Sequence, residues 1–298
     1  MKSSQLESVW GYVFIFPWIL GMLFFTAGPI IASVFLSFCE WDLITPIKWV
    51  GLQNYIKLFM DDPRFWKSLY NTLFYTAMSV PLQLVAGITI AVLMNQQVRL
   101  IKVFRTIFYL PSVTAGVASS IIWMWLFNPD VGLINYFLAI FGIHGPLWLA
   151  SEFWAKPVYV IMSLWGVGGG MLVYLAGLQG IPAALYEAAS IDGANSFQKF
   201  IHVTLPMLSP IIFFNLVILV IQSFQIFTQA YVMSGGSGAP ADSTLFYVVY
   251  LYQMGFRFHQ MGYASALAWI LFLITLGATL LLFRFSGWVH YEGNVKEK

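Results

Sequence analysis

The carboxylates with the most informative surroundings lie in one segment. Between Gln179 and Pro210 the sequence reads QGIPAALYEAASIDGANSFQKFIHVTLPMLSP. Glu187 and Asp192 offer acceptors that an arginine of a partner protein can engage with two parallel hydrogen bonds. No acid, base or metal-binding residue is spaced around them for catalysis. These two acids therefore indicate binding or simple solvation rather than a hydrolase or transferase site.

The same segment predicts a helix, a turn and a second helix. Pro182 fits a first helical turn, and Asp192-Gly193 ends that helix because glycine adopts the left-handed conformation. Asn195 or Ser196 can cap a second helix, which Pro206 is expected to stop. The helices could dock a partner, whose backbone could approach the small Ala188 and Ala189 closely, or could rest on the bilayer with Glu187 solvated. The residues alone favour neither interpretation.

Polar and aromatic side chains also occur inside long apolar stretches. Trp165 precedes a glycine run, and one stretch carries four amides: Asn215, Gln222, Gln225 and Gln229. Such groups in a lipid-length helix should face a cavity or another helix, and Gln222, Gln225 and Gln229 are expected to share one face. They are candidates for a solute pathway, with hydrogen bonding to another subunit as the alternative. Close helix packing is the alternative role of the glycine run.

The sequence gives little support for binding of a cofactor, a metal or nucleic acid. The chain has one cysteine, Cys39, which favours a buried packing thiol, and no Cys/His set with zinc-ligand spacing. It has no G-x-x-x-x-G-K-[ST] loop, so this chain is not expected to bind ATP through such a loop. A net charge of +2 without a basic cluster argues against nucleic-acid binding. No bound cofactor or metal is expected.

The amino-acid composition indicates a membrane protein. Hydrophobic residues make up 60% of the chain and charged residues 9%, against about a quarter charged in soluble domains. Crossing about 30 Å of hydrocarbon takes about 20 helical residues, so long charge-free stretches mark spans. We predict an all-α polytopic protein whose residues 1–298 form a single transmembrane domain. Its six transmembrane helices are expected near 11–36, 70–93, 107–127, 157–178, 207–232 and 263–284.

The distribution of positive charge predicts cytoplasmic N- and C-termini. Lys and Arg are slightly more frequent in the loops that this orientation places inside. Those inside residues are Lys2, Arg99, Lys102, Arg105, Lys199, Arg284, Lys296 and Lys298. The first apolar stretch is too long for the core of a signal peptide, so it is expected to remain as a span. Residues 131–151, which contain Gly142, Gly145 and Pro146, are expected to lie at the membrane interface.

Three runs within the segment resemble a known motif. They are Glu187-Ala188-Ala189, Asp192-Gly193-Ala194 and Thr204-Leu205-Pro206. At this spacing they are similar to the EAA loop of permeases in ABC importers, specifically the sugar-permease branch that includes maltose, lactose and glycerol-phosphate permeases. Matching stretches elsewhere are Val50-Gly51-Leu52-Gln53-Asn54-Tyr55, Phe108-Tyr109-Leu110-Pro111 and Leu178-Gln179-Gly180-Ile181-Pro182. The stretch from Ser234 to Thr244 departs from the family's usual tighter turn.

The resemblance implies a function, a fold and a set of partners. It implies a type I ABC importer permease fold in a bacterial or archaeal cell membrane, with this chain forming half of a pathway for a sugar or oligosaccharide. It further implies a second homologous permease, two cytoplasmic ATPase subunits that bind ATP and Mg, and an external solute-binding protein. The EAA loop, residues 182–206, would contact an ATPase. Its coupling residues would be Glu187, Ala188, Ala189, Asp192, Gly193, Leu205 and Pro206.

Two other classes compete with this interpretation. A channel or secondary transporter working alone would usually show intramembrane charges or repeated halves, and neither is visible. An integral membrane enzyme would need carboxylates that converge at one membrane face. A non-catalytic permease subunit is therefore expected.

Overall fold

A computed structural model describes residues 3–289, with side chains from residue 10 onward. Lys2, Lys296 and Lys298, which entered the orientation argument, lie outside the described residues. Within residues 3–289 the regular secondary structure is helical apart from one short antiparallel hairpin, β1 (Cys39–Glu40) with β2 (Lys48–Trp49). The helices are α1 (Ser3–Met22), α2 (Gly28–Ser37), α3 (Gln53–Met60), α4 (Pro63–Met94), α5 (Ile101–Tyr109), α6 (Gly116–Leu126), α7 (Leu133–Ile140), α8 (Ala155–Trp165), α9 (Gly168–Gly180), α10 (Ala183–Ile191), α11 (Ser196–Lys199), α12 (Leu205–Phe224), α13 (Thr228–Met233), α14 (Tyr247–Tyr252) and α15 (Met261–Arg284).

Several helices are long and apolar enough to cross a membrane. Within the described residues, four helical stretches qualify without a sharp bend: Trp10–Ser37, Pro63–Met94, Ser196–Met233 and Met261–Arg284. Two bent pairs, α5 with α6 and α8 with α9, raise the number to six if each pair is one span. The predicted all-α polytopic class is confirmed.

The chain divides into two compact units, residues 1–62 with 251–272 and residues 63–250 with 273–298. In the first unit, Cys39 is fully buried, and its backbone oxygen accepts a hydrogen bond of 2.9 Å from the Asn54 side chain. A Cβ on Gly262 would lie 1.8 Å from the Cys39 carbonyl oxygen, so only glycine permits α15 to begin there. Cys39 is a packing residue in this unit.

In the second unit, α4 is the central helix and packs against α8, α9 and α12. Glycines allow the close approaches around it. A Cβ on Gly177 would lie 2.2 Å from Ile211 Cδ1, and one on Gly87 would lie 3.0 Å from the Tyr174 ring. The core there consists of Ala91, Met94, Met171, Tyr174, Leu175, Leu178 and Leu208. This packing fixes the helices that surround the candidate site.

The helix expected near 107–127 is broken by a sharp bend. A 3-10 turn at Leu110–Val113 follows α5, and α6 leaves at 99° to it. Pro111 lies in that turn, where it has no N–H to donate to a continuing helix. The sequence shows Pro111 but does not predict the size of the bend.

Candidate functional site

Three helix breaks meet at one cavity of about 460 Å³ in the second unit. The first break is the bend between α5 and α6, and the second is the 44° bend between α8 and α9 at Gly166. The third separates α12 from α13 at Gln225–Phe227. Residues from all three breaks line the cavity. Because irregular backbone at membrane depth is tolerated where it is buried or lines an aqueous cavity, this convergence favours a polar site inside the membrane.

Three glutamines predicted for the pathway line this cavity. Gln222, Gln225 and Gln229 are all lining residues. The expectation that they share one helix face is wrong. The break after Phe224 places Gln222 on α12 and Gln229 on α13, with Gln225 between the two helices. Their amides make no hydrogen bond within the described residues. Each amide therefore offers free donors and an acceptor to the cavity.

Trp165 gives the cavity an aromatic wall. It is the last residue of α8, 37% exposed, and packs edge-on against Trp123 with ring centroids 6.1 Å apart. The cavity is also lined by residues with hydroxyl groups: Tyr75, Ser112, Thr114, Ser119, Tyr159, Ser163, Ser223 and Thr228. None of the lining residues carries a charged side chain. The surface suits a ligand with both hydroxyl groups and an apolar face.

Asn215 lies elsewhere. It is 9% exposed, does not line the cavity, and donates a hydrogen bond of 3.0 Å from its amide to the Ile211 carbonyl. The glycine run serves close packing at one position at least, because a Cβ on Gly168 would lie 2.1 Å from the Phe108 carbonyl oxygen. Gly168 lets the start of α9 touch the end of α5. The packing alternative thus describes Gly168, while Gly166 forms part of the cavity wall.

The segment predicted as the coupling loop contains α10, a tight turn and α11. Helix α10 ends at a left-handed glycine, Gly193, with φ of +78°. The Gly193 amide donates to the Ser190 carbonyl at 3.1 Å, and the Ala194 amide donates to the Ala189 carbonyl at 2.9 Å. These two bonds form a Schellman motif, which satisfies carbonyls at the helix end. The predicted end of the first helix therefore forms as expected, although Pro182 caps α10 rather than occupying its first turn.

The second helix begins as predicted but does not end as predicted. Asn195 and Gln198 form a capping box, in which each side chain bonds the other residue's backbone amide at 2.9 and 2.8 Å. Pro206 was expected to stop this helix, and that expectation is wrong. The chain continues through a π-helical turn at Phe200–Thr204 into α12, whose first turn contains Pro206. Pro206 has no N–H to donate to the preceding turn, and the wider π turn before it leaves room for the proline ring.

The outer surface of the loop presents both charge and apolar groups. Glu187 and Asp192 are exposed, and neither has a hydrogen-bonded or ionic side-chain partner among the described residues. Ile191 is 86% exposed and Phe197 is 69% exposed. Internal bonds fix the fold, including one of 3.0 Å between the hydroxyls of Tyr186 and Thr204. The loop is folded by itself while its outer surface is unpartnered.

An ion pair holds the stretch from Ser234 to Thr244. Arg64 donates two hydrogen bonds to Asp242, at 3.0 and 2.9 Å. The amide of Asn71 donates to the carbonyls of Asp242 and Leu245, at 2.8 and 3.0 Å. The stretch is therefore anchored to the first turns of α4. No short-range pattern links positions so far apart in the chain.

Comparison with known proteins identifies the family. Residues 60–290 match the model of the family described as "Binding-protein-dependent transport system inner membrane component". Among curated relatives, the probable ABC transporter permease protein YesP of Bacillus subtilis is 46% identical, over 98% of this chain and 95% of its own length. The lactose transport system permease protein LacF of Rhizobium radiobacter is 35% identical, over 92% of each chain. The arabinooligosaccharides permease AraP of Bacillus subtilis is 34% identical, over 95% of this chain and 90% of its own length.

Solved protein structures share this fold. A chain of a bacterial alginate ABC transporter, crystallised with an alginate pentasaccharide-bound periplasmic protein, superposes with a TM-score of 0.83 and 24% identity. The match covers 95% of this chain and 96% of that one, and it shows the type I importer permease fold that the resemblance implied. The rival interpretations as an enzyme or a stand-alone channel gain no support. The chain belongs to the binding-protein-dependent transport system inner membrane components, the multi-pass, non-catalytic permease subunits of ABC importers.

Proposed function

We propose that this chain forms half of the transmembrane pathway of an importer for a sugar or oligosaccharide. The observation that carries the proposal is the set of unpaired glutamine amides beside Trp165 in one cavity. Sugars are recognised by hydrogen bonds to their hydroxyls and by aromatic contact with their apolar ring faces. The names of LacF and AraP, relatives that align over most of this chain, support a carbohydrate as the solute.

The same proposal assigns partners to the chain. A second homologous permease would complete the pathway, an external solute-binding protein would deliver the solute, and two cytoplasmic ATPase subunits would bind ATP and Mg. The folded, unpartnered loop around Glu187 supports contact with an ATPase, because its exposed carboxylates and apolar groups suit a cleft with a basic residue. Coupling would use Glu187, Ala188, Ala189, Asp192, Gly193, Leu205 and Pro206.

The proposed orientation places both termini and the coupling loop in the cytoplasm. The loop leads without interruption into α12, whose far end borders the cavity at Gln222 and Gln225. A displacement of the loop by an ATPase would therefore be passed along one helix to the cavity wall. Since helix breaks absorb rotation more readily than continuous helices, the bends at Gly166 and at Gln225–Phe227 are the proposed places where the pathway changes between its two states.

Uptake of labelled sugar by the reconstituted complex tests the pathway. Gln225→Ala should lower uptake by about 3- to 10-fold, the cost of about one hydrogen bond, with receptor binding and basal ATPase activity intact. Gln96→Ala, in an exposed connection away from the cavity, serves as the control. Unchanged uptake would exclude Gln225 from the pathway. Loss of the second permease during purification would instead support the alternative role of interhelical bonding.

A further inference from the structure

Two lysines near the beginnings of α4 and α8 have no carboxylate partner among residues 10–289. The ammonium group of Lys156 donates a hydrogen bond of 3.2 Å to the side-chain oxygen of Asn71, and Lys67 is a second cation within electrostatic range of it. On the same helix as Lys67, Arg64 forms an ion pair with Asp242. Within the part of the chain that the structure describes, no carboxylate forms an ion pair with Lys67 or Lys156.

The helices themselves add to this positive potential. Lys67 is the fifth residue of α4 and Lys156 is the second residue of α8, and neither helix has an acid in its first turn. The first turn of a helix carries partial positive charge, which favours anions and opposes cations. Two packed helices with cations near this end thus create a place where an external anion would be stabilised.

Aromatic side chains surround the two lysines at the surface. The Lys156 ammonium lies 4.7 Å from the ring centroid of Tyr70 and 5.1 Å from that of Phe74. Tyr70 is 57% exposed and Trp66, on the same helix, is 51% exposed. Exposed tyrosine and tryptophan at the ends of spans are typical of the level of lipid headgroups. The flanking surface therefore suits contact with lipid rather than with bulk water.

The length of α4 is consistent with this depth. Its 32 residues span about 48 Å at 1.5 Å per residue, whereas the hydrocarbon core is about 30 Å thick. The first turns of α4, which carry Lys67 and Asn71, therefore extend to the headgroup layer if the helix is centred in the membrane. By the orientation proposed above, this is the outer leaflet.

We propose that Lys67 and Lys156 bind the phosphate of an anionic phospholipid headgroup. The two ammonium groups contact the phosphodiester, and Tyr70 and Phe74 pack beside the glycerol region and the upper acyl chains. Because Asn71 also bonds to the carbonyls of Asp242 and Leu245, the site adjoins the anchor of the external stretch from Ser234 to Thr244. The proposal does not depend on which solute the importer carries.

Native mass spectrometry of the purified, complete transporter tests the site. Phosphatidylglycerol, phosphatidylcholine and inorganic phosphate are the probes, added separately. Each lysine near an anionic surface contributes about 1 kcal/mol, so Lys67→Gln with Lys156→Gln should weaken phosphatidylglycerol retention by about tenfold or more. Lys48→Gln with Lys57→Gln, two lysines in the other unit, is the matched control and should retain the lipid.

Three results would overturn the proposal. The first is equal retention of phosphatidylglycerol by the double variant and the wild type, and the second is equal retention of phosphatidylcholine and phosphatidylglycerol by the wild type. The third is displacement of the lipid by millimolar inorganic phosphate, which would indicate a free-anion site. Should the double variant not assemble, Lys67→Gln alone, at a side chain with no hydrogen bond among the described residues, should still weaken retention several-fold. Lys67→Arg with Lys156→Arg should preserve it.

Discussion

The coupling loop and the cavity differ in how far apart in the chain their residues lie. The Schellman motif and the capping box of the loop join residues between three and five positions apart, from Ala189 to Gln198. The cavity instead collects side chains from Tyr75 to Gln229, on five different helices and at three helix breaks. The loop therefore depends on local signals that single residues provide, whereas the cavity depends on packing between distant helices. The two regions should respond differently to mutation.

The largest effect is expected where α5 and α9, which adjoin two of the helix breaks at the cavity, touch without room for a side chain. Gly168→Val would place atoms about where the Phe108 carbonyl oxygen lies, since a Cβ there would be 2.1 Å from it. Overpacking of this kind at backbone forces the helices apart. We expect no folded, assembled complex, measured as recovery in size-exclusion chromatography.

Gly277→Val is the matched control for this prediction. A Cβ at Gly277 meets nothing within 4 Å, although it also lies in a long apolar helix. Normal recovery of both variants would show that α5 and α9 can separate, and would contradict the packing argument. Loss of both would indicate a general intolerance of valine rather than a specific contact.

The second prediction concerns the coupling loop, where a substitution should abolish coupling to the ATPase while the subunit still folds and inserts. Glu187→Lys reverses an exposed charge, so the subunit should fold and insert while ATPase activity stimulated by the loaded binding protein falls at least tenfold. Gly193→Pro should act similarly, because proline cannot adopt φ of +78° and cannot donate to the Ser190 carbonyl. Glu152→Lys, another exposed glutamate, is the control. Full stimulated activity in Glu187→Lys would contradict the proposed ATPase contact.

The difference between the two regions also explains what could be predicted from the sequence. The end of α10 at Gly193 and the cap at Asn195 were predictable because each depends on a few adjacent residues. The continuation of the second helix past Pro206 was not, because a π turn at Phe200–Thr204 accommodates the proline. Hydrophobicity indicated where apolar helices lie, since the bilayer imposes that pattern along the chain.

Contacts between residues far apart in the chain were harder to predict from the sequence. The sequence indicated the polar residues Gln222, Gln225 and Gln229 but not the break after Phe224, which places them around a cavity instead of along one face. It did not indicate that Asn215 would bond to the carbonyl of Ile211 outside the cavity lining. Breaks of this kind depend on neighbouring helices that satisfy the freed backbone groups, and no local pattern reports those neighbours.

A third, smaller effect is expected within the cavity. Trp165→Ala removes the aromatic wall while leaving the surrounding hydroxyl and amide groups in place. Loss of one aromatic contact of about 1 kcal/mol corresponds to about a fivefold loss of uptake. Trp18→Ala, at a side chain 67% exposed in the other unit, is the control for the loss of a membrane-facing tryptophan. Unaltered uptake in Trp165→Ala would mean that the solute passes without touching this wall.

The smallest effect tests how independent the loop is. Asn195→Ala removes one side of the capping box, and loss of an N-cap costs about 1 kcal/mol. Amide hydrogens at the start of α11 should then exchange about fivefold faster, measured by hydrogen–deuterium exchange on the assembled complex. Ser196→Ala is the matched control, because the Ser196 hydroxyl makes no hydrogen bond among the described residues.

If the loop is folded by its own local bonds, the faster exchange in Asn195→Ala will be confined to the loop, and the amides around Gln222 will exchange at an unchanged rate. Faster exchange at both places would show that the loop and the cavity wall open together along α12, so that the local and distant regions are one cooperative element.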